Sequence, residues 1–149
     1  MIVKYVRECK YHGGGKVESL TLGKDYLVLG VGLERKTYSN GTKKEPYVCI
    51  QEDDDDYPCL FELSFFEVVD PRVPDGWSFS RSEDGAYYLE PKEFEGDFWE
   101  KFHNGEPNEI EKILRKHRGE EDMDAQRIFK EVVKKIKGFH GLLPEPKEP

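Results

Sequence analysis

The sequence predicts an α+β chain, in which a small antiparallel β domain is followed by a hairpin and about three C-terminal helices. Three observations carry this reading. Up to about residue 70, apolar and polar positions alternate with a period near two, and β-branched and aromatic residues gather in short runs. After Gly96 the apolar spacing lengthens to three and four, the period of a helix. Between the two regimes, Val69-Asp70-Pro71 and the "RVPDGW" stretch supply the proline and glycine of a linker. The expected division is therefore a β domain over 1–71, a hairpin and helical subdomain over 72–139, and a mobile proline-rich tail over 140–149.

The elements follow in order. "IVKYVREC" alternates Ile2, Lys4 and Val6 against Val3, Tyr5 and Arg7, as a half-buried strand does. "HGGGK" is a flexible connection. It lacks the Walker spacing, because Lys16 is followed by Val17. "DYLVLGVGLE" reads as one strand, with a bend or bulge at Gly30 and Gly32. "SNGTKKEP" reads as a loop around Asn40-Gly41, a pair that favours positive φ. "YVCIQ" and "CLFELSFFEVV" form a hairpin-like pair and a closing strand on either side of the acidic run. "WSFSRSEDGAYYLEP" makes a short hairpin around Glu83-Asp84-Gly85.

Three helices are expected beyond it. Asp97 and Glu100 fit a capping box ahead of "FWEKF". Pro107 suits the first turn of "PNEIEKILRKHR", whose stripe is Ile110, Ile113 and Leu114 and whose end is Gly119. "MDAQRIFKEVVKKIK" places Ala125, Ile128, Phe129, Val132, Val133 and Ile136 on one face, and Gly138 is the expected stop.

Charge narrows the function classes. The formal net charge is −8, and residues 52–56 supply five acids with no base among them, which leaves an excess of three elsewhere. Such a surface discourages nucleic acid and anionic membrane and favours a basic protein partner or a cation. No stretch approaches the roughly 18 apolar residues of a membrane span. The first ten residues contain no apolar leader core, and three cysteines suit reduced thiols in a cytoplasm. Cys49 and Cys59 flank the acidic run almost symmetrically and are expected as cross-strand neighbours.

Two stretches resemble known families. "SLTLGKDYLVLGV" with "YVCIQEDDDDYPCLFELSFFEVVD" resembles small bacterial SH3-like β-barrels through Leu20, Thr21, Gly23, Lys24, Tyr26 and Val28 and the closing Phe66-Glu67-Val68-Val69. The resemblance covers about the first half and implies a small SH3-like antiparallel barrel. "PDGWSFSRSEDGAYYLEPKEFEGDFWEKFHNGEP" is similar to the C-terminal portion of bacterial immunity proteins from polymorphic toxin systems. The echo lies in Trp77, Pro91, Phe94, Phe98, Trp99, Glu100, Phe102, Asn104 and Gly105. That resemblance implies a cytoplasmic protein that binds and blocks one cognate toxin.

The candidate partner-binding residues are Glu52, Asp53, Asp54, Asp55, Asp56 and Tyr57, joined by Glu93, Glu95, Asp97 and Trp99. The acidic run lacks the alternating acids and glycine of a calcium loop. One reading makes it a solvated turn, since aspartate bonds nearby amides. The other makes it a lure for a basic surface, because a turn needs no fourth aspartate. The rings of "EFEGDFWEKF" fit core packing at spacings of three and four, with an interface patch as the alternative. His12, His103, His117 and His140 share no metal-binding frame. No catalytic residue, metal or cofactor is assigned. The expected function is a toxin-neutralising immunity protein with no nucleic-acid or membrane partner. An SH3-like adaptor that binds a peptide or assembly subunit stays open beside it, as does a small hydrolase built around His103 or His117.

Overall fold

The computed structural model describes residues 1–9, 18–39, 41–53, 58–104, 109–118 and 125–143; at 35–38, 42–44, 109, 111, 112 and 115 it describes the backbone. Among the described residues eight strands form two antiparallel sheets. The smaller has the order β2-β1-β6, from β1 (Ile2–Tyr5), β2 (Asp25–Leu27) and β6 (Phe66–Asp70). The larger has the order β5-β4-β3-β8-β7. Its strands are β3 (Gly30–Tyr38), β4 (Gly41–Gln51), β5 (Pro58–Glu62), β7 (Trp77–Arg81) and β8 (Tyr87–Pro91).

Alternation in β1 sends Val3 and Tyr5 inward, as the period of two requires. They join Tyr26 and Val28, then Val48, Ile50 and Phe61 of the larger sheet, and Phe66. One core thus holds both sheets. The edges of Tyr26 and Phe61 meet the Phe66 ring at centroid distances of 6.5 and 6.4 Å, geometries that aromatic pairs favour.

The expected small barrel followed by about three C-terminal helices is corrected. The sheets share a core without closing into a barrel. "DYLVLGVGLE" is two strands in different sheets, because the chain passes from one to the other at Val28 and Leu29. Gly30 and Gly32 make room for neighbours rather than a bulge. A Cβ at Gly32 would lie 3.3 Å from the Tyr88 ring, and one at Gly30 would lie 3.4 Å from the Glu90 Cβ. The predicted loop at "SNGTKKEP" is the end of a long hairpin, in register from Gly30↔Cys49 to Tyr38↔Gly41. Pro46 is tolerated there because β5 pairs β4 only from Tyr47 onward.

The β7–β8 hairpin belongs to the first half. Val31↔Leu89, Gly32↔Tyr88 and Leu33↔Tyr87 pair β8 with β3. Two compact units result, Met1–Glu90 and Pro91–Pro149, so the division expected after 71 falls after Glu90. Cys49 pairs with Leu60 and Ile50 with Cys59, one place off the expected cysteine pairing. Cys9, Cys49 and Cys59 form no disulfide.

Among the described residues of the second unit two helices, not three, build the core. They are α1 (Phe98–His103) and α3 (Ala125–Phe139). Phe94, Phe98 and Phe102 are buried with Phe129 of α3, and the Phe102 and Phe129 ring centroids stand 4.8 Å apart. The α3 face is the one the spacing predicts: Ala125, Phe129, Val132, Val133 and Ile136 are buried, and Ile128 is half-buried. Helix α2 (Glu109–His117) forms, yet Ile110, Ile113 and Leu114 are exposed. The expected ends of α2, at Pro107 and Gly119, lie outside the described residues, as do "HGGGK" and residues 144–149.

Gly138 does not stop α3. The stop is Gly141, at φ +70°, with Leu142 N–H donating to the Lys137 carbonyl at 2.8 Å and Gly141 N–H to Gly138 at 3.1 Å. That is the Schellman arrangement, which requires a left-handed residue just past the helix. Among the described residues no helix is long and apolar enough to cross a membrane.

Two outcomes follow from burial. Ile136→Ala in α3 is expected to destabilise the second unit by about 2–5 kcal/mol, and Ile113→Ala in α2 by no more than about 0.5 kcal/mol; chemical denaturation compares them. Burial, then the charges of Glu90 and Cys59, pushes the Cys49 thiol up to about 12. Native chain at pH 8 should therefore leave Cys49 unalkylated by iodoacetamide, and denatured chain should label it, as peptide mass mapping will show.

Candidate functional site

The acidic run bridges β4 and β5, whose last register pair is Gln51↔Pro58. Asp54, Asp55, Asp56 and Tyr57 lie outside the described residues. Glu52 is half-buried, and Asp53 is where the structure is most specific. Its backbone N–H donates to the Ser19 carbonyl at 2.8 Å, tying the end of β4 to the segment before β2.

Its carboxylate collects three donors. Thr21 Oγ1 donates to Oδ2 at 2.6 Å, and Tyr26 Oη donates to Oδ1 at 2.9 Å. Lys24 Nζ donates to Oδ1 as the third. Tyr26 Oη in turn accepts the Thr21 backbone N–H at 2.8 Å, so the set closes on itself. The Asp53 side chain is only 17% exposed within it.

Sequence places the donors. The chain turns at Gly23, whose φ of +81° is left-handed and suits a residue without a Cβ. Lys24 N–H reaches the Thr21 carbonyl at 3.1 Å, and Gly23 N–H and Tyr5 N–H stitch the turn to β1 at 2.7 and 3.1 Å. Leu20 and Val28, at either end of the motif, are buried in the core. "LTLGKDYLV" is thus a turn that presents Thr21, Lys24 and Tyr26 together, about thirty residues before the carboxylate that they bind. The sequence reading noted these residues as a family pattern and overlooked them as a site. Three donors spaced at 21, 24 and 26 were the available signal.

Electrostatics follow from the contacts. Burial pushes the Asp53 carboxyl up, but the hydrogen bonds from Lys24, Thr21 and Tyr26 outweigh it and hold the group below the ordinary carboxylate range. Burial raises the Tyr26 phenol, and its bond to Asp53 adds to that. At Asp53 the side-chain bonds shown are long-range, to Thr21, Lys24 and Tyr26, rather than to the nearby amides that the turn reading expected; Asp54, Asp55 and Asp56 lie outside the described residues. Asp53 serves the fold first.

The remaining candidates lie in the second unit. Glu93 and Asp97 are exposed and carry ion pairs, to Lys135 at 3.7 Å and to Lys101 at 3.1 Å. Asp97 occupies the N-cap of α1 but makes no side-chain cap bond, so the expected capping box does not form there. Glu95 is exposed. Trp99 is half-buried against Phe94 and Phe98, with centroids 4.9 and 5.1 Å away, which gives it a packing role. His103 lies against the Trp99 and Phe102 rings. Among the described residues no three His, Cys, Asp or Glu side chains are grouped to hold a metal ion.

The chain matches no family model, no curated protein and no solved structure.

The Asp53 contacts set a pH test. A carboxyl held below its ordinary value stabilises the folded chain above the unfolded-state value of about 3.9, and that contribution is lost as pH falls through the lower folded value. Asp53→Ala should cost about 1–2 kcal/mol near neutral pH. In thermal melts from pH 7 to pH 2, the gap between the wild type and Asp53→Ala is expected to narrow below about pH 4.

Proposed function

We propose that this chain is a toxin-neutralising immunity protein that binds and occludes a cognate toxin through its acidic surface. The observation that supports it best is the anchored acidic run. Asp53 is fixed by Thr21, Lys24 and Tyr26, so the run starts from a rigid point on the first unit. Lys24 is already engaged by Asp53. The acids at 54–56 follow with no base among them. A binding segment whose root is preorganised loses less freedom on association.

Clustered charge of one sign raises encounter rates with an opposite surface by about 10- to 10³-fold and is screened by salt. A toxin with a basic cleft is the partner that this chemistry fits. If that toxin is a nuclease, the carboxylates would stand where substrate phosphates bind. Glu93 and Asp97 supply further exposed acid, held only by surface ion pairs of the kind worth about 0–1 kcal/mol. The likeness of the "PDGW…NGEP" stretch to immunity proteins agrees with this reading, and the cytoplasm is the compartment that it implies.

Growth protection tests it. Neighbouring reading frames are screened for one whose product stops growth, the chain is co-expressed with that product, and Asp54, Asp55 and Asp56 are changed to Asn while Asp53 is kept. Wild type is expected to protect, and the triple variant to associate with the toxin at least about tenfold more slowly at low salt. Equal protection and equal association rates would move the interface away from the run.

A further inference from the structure

The outer end of the five-stranded sheet carries a ring stack that core burial does not account for. Trp77, Phe79 and Arg81 alternate along one face of the edge strand β7. Trp77 packs against the core of the first unit, whereas Phe79 is 69% exposed. The Phe79 ring stacks on Tyr87 with centroids 5.6 Å apart and planes 23° apart. The Arg81 guanidinium stands 5.8 Å from the centre of the same Tyr87 ring. The result is an aromatic surface facing water, with a cation at its border.

Positive charge continues from there along the backbone register. Tyr87 pairs with Leu33, the last β3 residue that β8 reaches. Beyond it, residues 34–38 and 41–45 pair with each other, forming a two-stranded arm about 17 Å long by strand rise. In that arm Arg35 is opposite Lys44, and Lys36 is opposite Lys43. Like charges opposite each other destabilise an antiparallel pair. Residues 35–44 contain no acid, in a chain whose net charge is −8. The linear sequence sets Lys43 and Lys44 beside Glu45, but in register Glu45 is opposite Glu34 at the arm's base.

We propose that this end of the sheet binds single-stranded nucleic acid. Unpaired bases stack on Phe79 and Tyr87, phosphates beside the rings are met by Arg81, and the net positive charge of residues 35–44 attracts the strand. Exposed rings on a sheet with adjoining cations are what single strands use, because every base offers a π-face. A duplex keeps those faces within its own stack, so it cannot use the ring surface. The acidic body opposes any polyanion, which makes the binding local and steeply dependent on salt. This inference does not rest on toxin neutralisation and does not use the acidic run.

The test is fluorescence anisotropy of a labelled oligothymidylate of about twelve nucleotides with the full chain, titrated from about 50 to 200 mM salt. Phe79→Ala is expected to weaken binding about 5- to 150-fold, and Phe79→Trp to preserve it. Lys43→Gln with Lys44→Gln should flatten the slope of log affinity against log salt by about 1.4. Thermal melts of each variant confirm that the fold is kept. The proposal is overturned by no binding at the lowest salt, by equal affinity of a folded Phe79→Ala chain, or by tighter binding of a duplex of the same length.

Discussion

A single carboxylate ties the two sheets of the first unit together away from their shared core. Asp53 sits where β4 ends, and its donors come from the turn that feeds β2, in the other sheet. Charge-assisted hydrogen bonds there are directional, so they fix where the chain leaves β4 as apolar contact cannot. The order of events is visible in the chemistry. Gly23 allows the turn, the turn gathers Thr21, Lys24 and Tyr26, and the gathered donors hold the first aspartate of the run.

This changes how the acidic run divides. Its first aspartate is held within the fold, with its charge met by Lys24. The charge left to act on a partner belongs to its neighbours in sequence. At the far end of β4 the charge has the opposite sign, since Lys43 and Lys44 begin the strand that ends beside Glu52. Lys44 and Glu52 are eight residues apart in sequence, about 27 Å by strand rise. One strand therefore carries two chemically distinct surfaces, and each can be altered without touching the other.

Much of the fold was legible where period and burial agree. Val3 and Tyr5 of β1 and the stripe of α3 are examples, because one face of each element meets a core. Reading failed where long-range pairing decides. Nothing local marks Val28 and Leu29 as the crossing between sheets, since both are apolar and both are buried. The polar "SNGTKKEP" segment looks like a loop, but its partner strand supplies the hydrogen bonds that make it a strand. Gly32 reads as a bulge until Tyr88 is placed across from it. Helix α2 shows the converse case, in which a clear apolar stripe meets no core among the described residues. At the candidate site the acids were evident, but the role of Asp53 was not, because its partners lie 27 to 32 residues earlier.

The most direct measurement is a carbon-detected NMR titration of the Asp53 carboxyl in the wild-type chain and in a Lys24→Gln variant. A midpoint below the ordinary value of about 3.9, moving up toward it when Lys24 is removed, is the predicted result. A wild-type midpoint at or above that value, unmoved in the variant, would contradict the claim that Asp53 anchors the run.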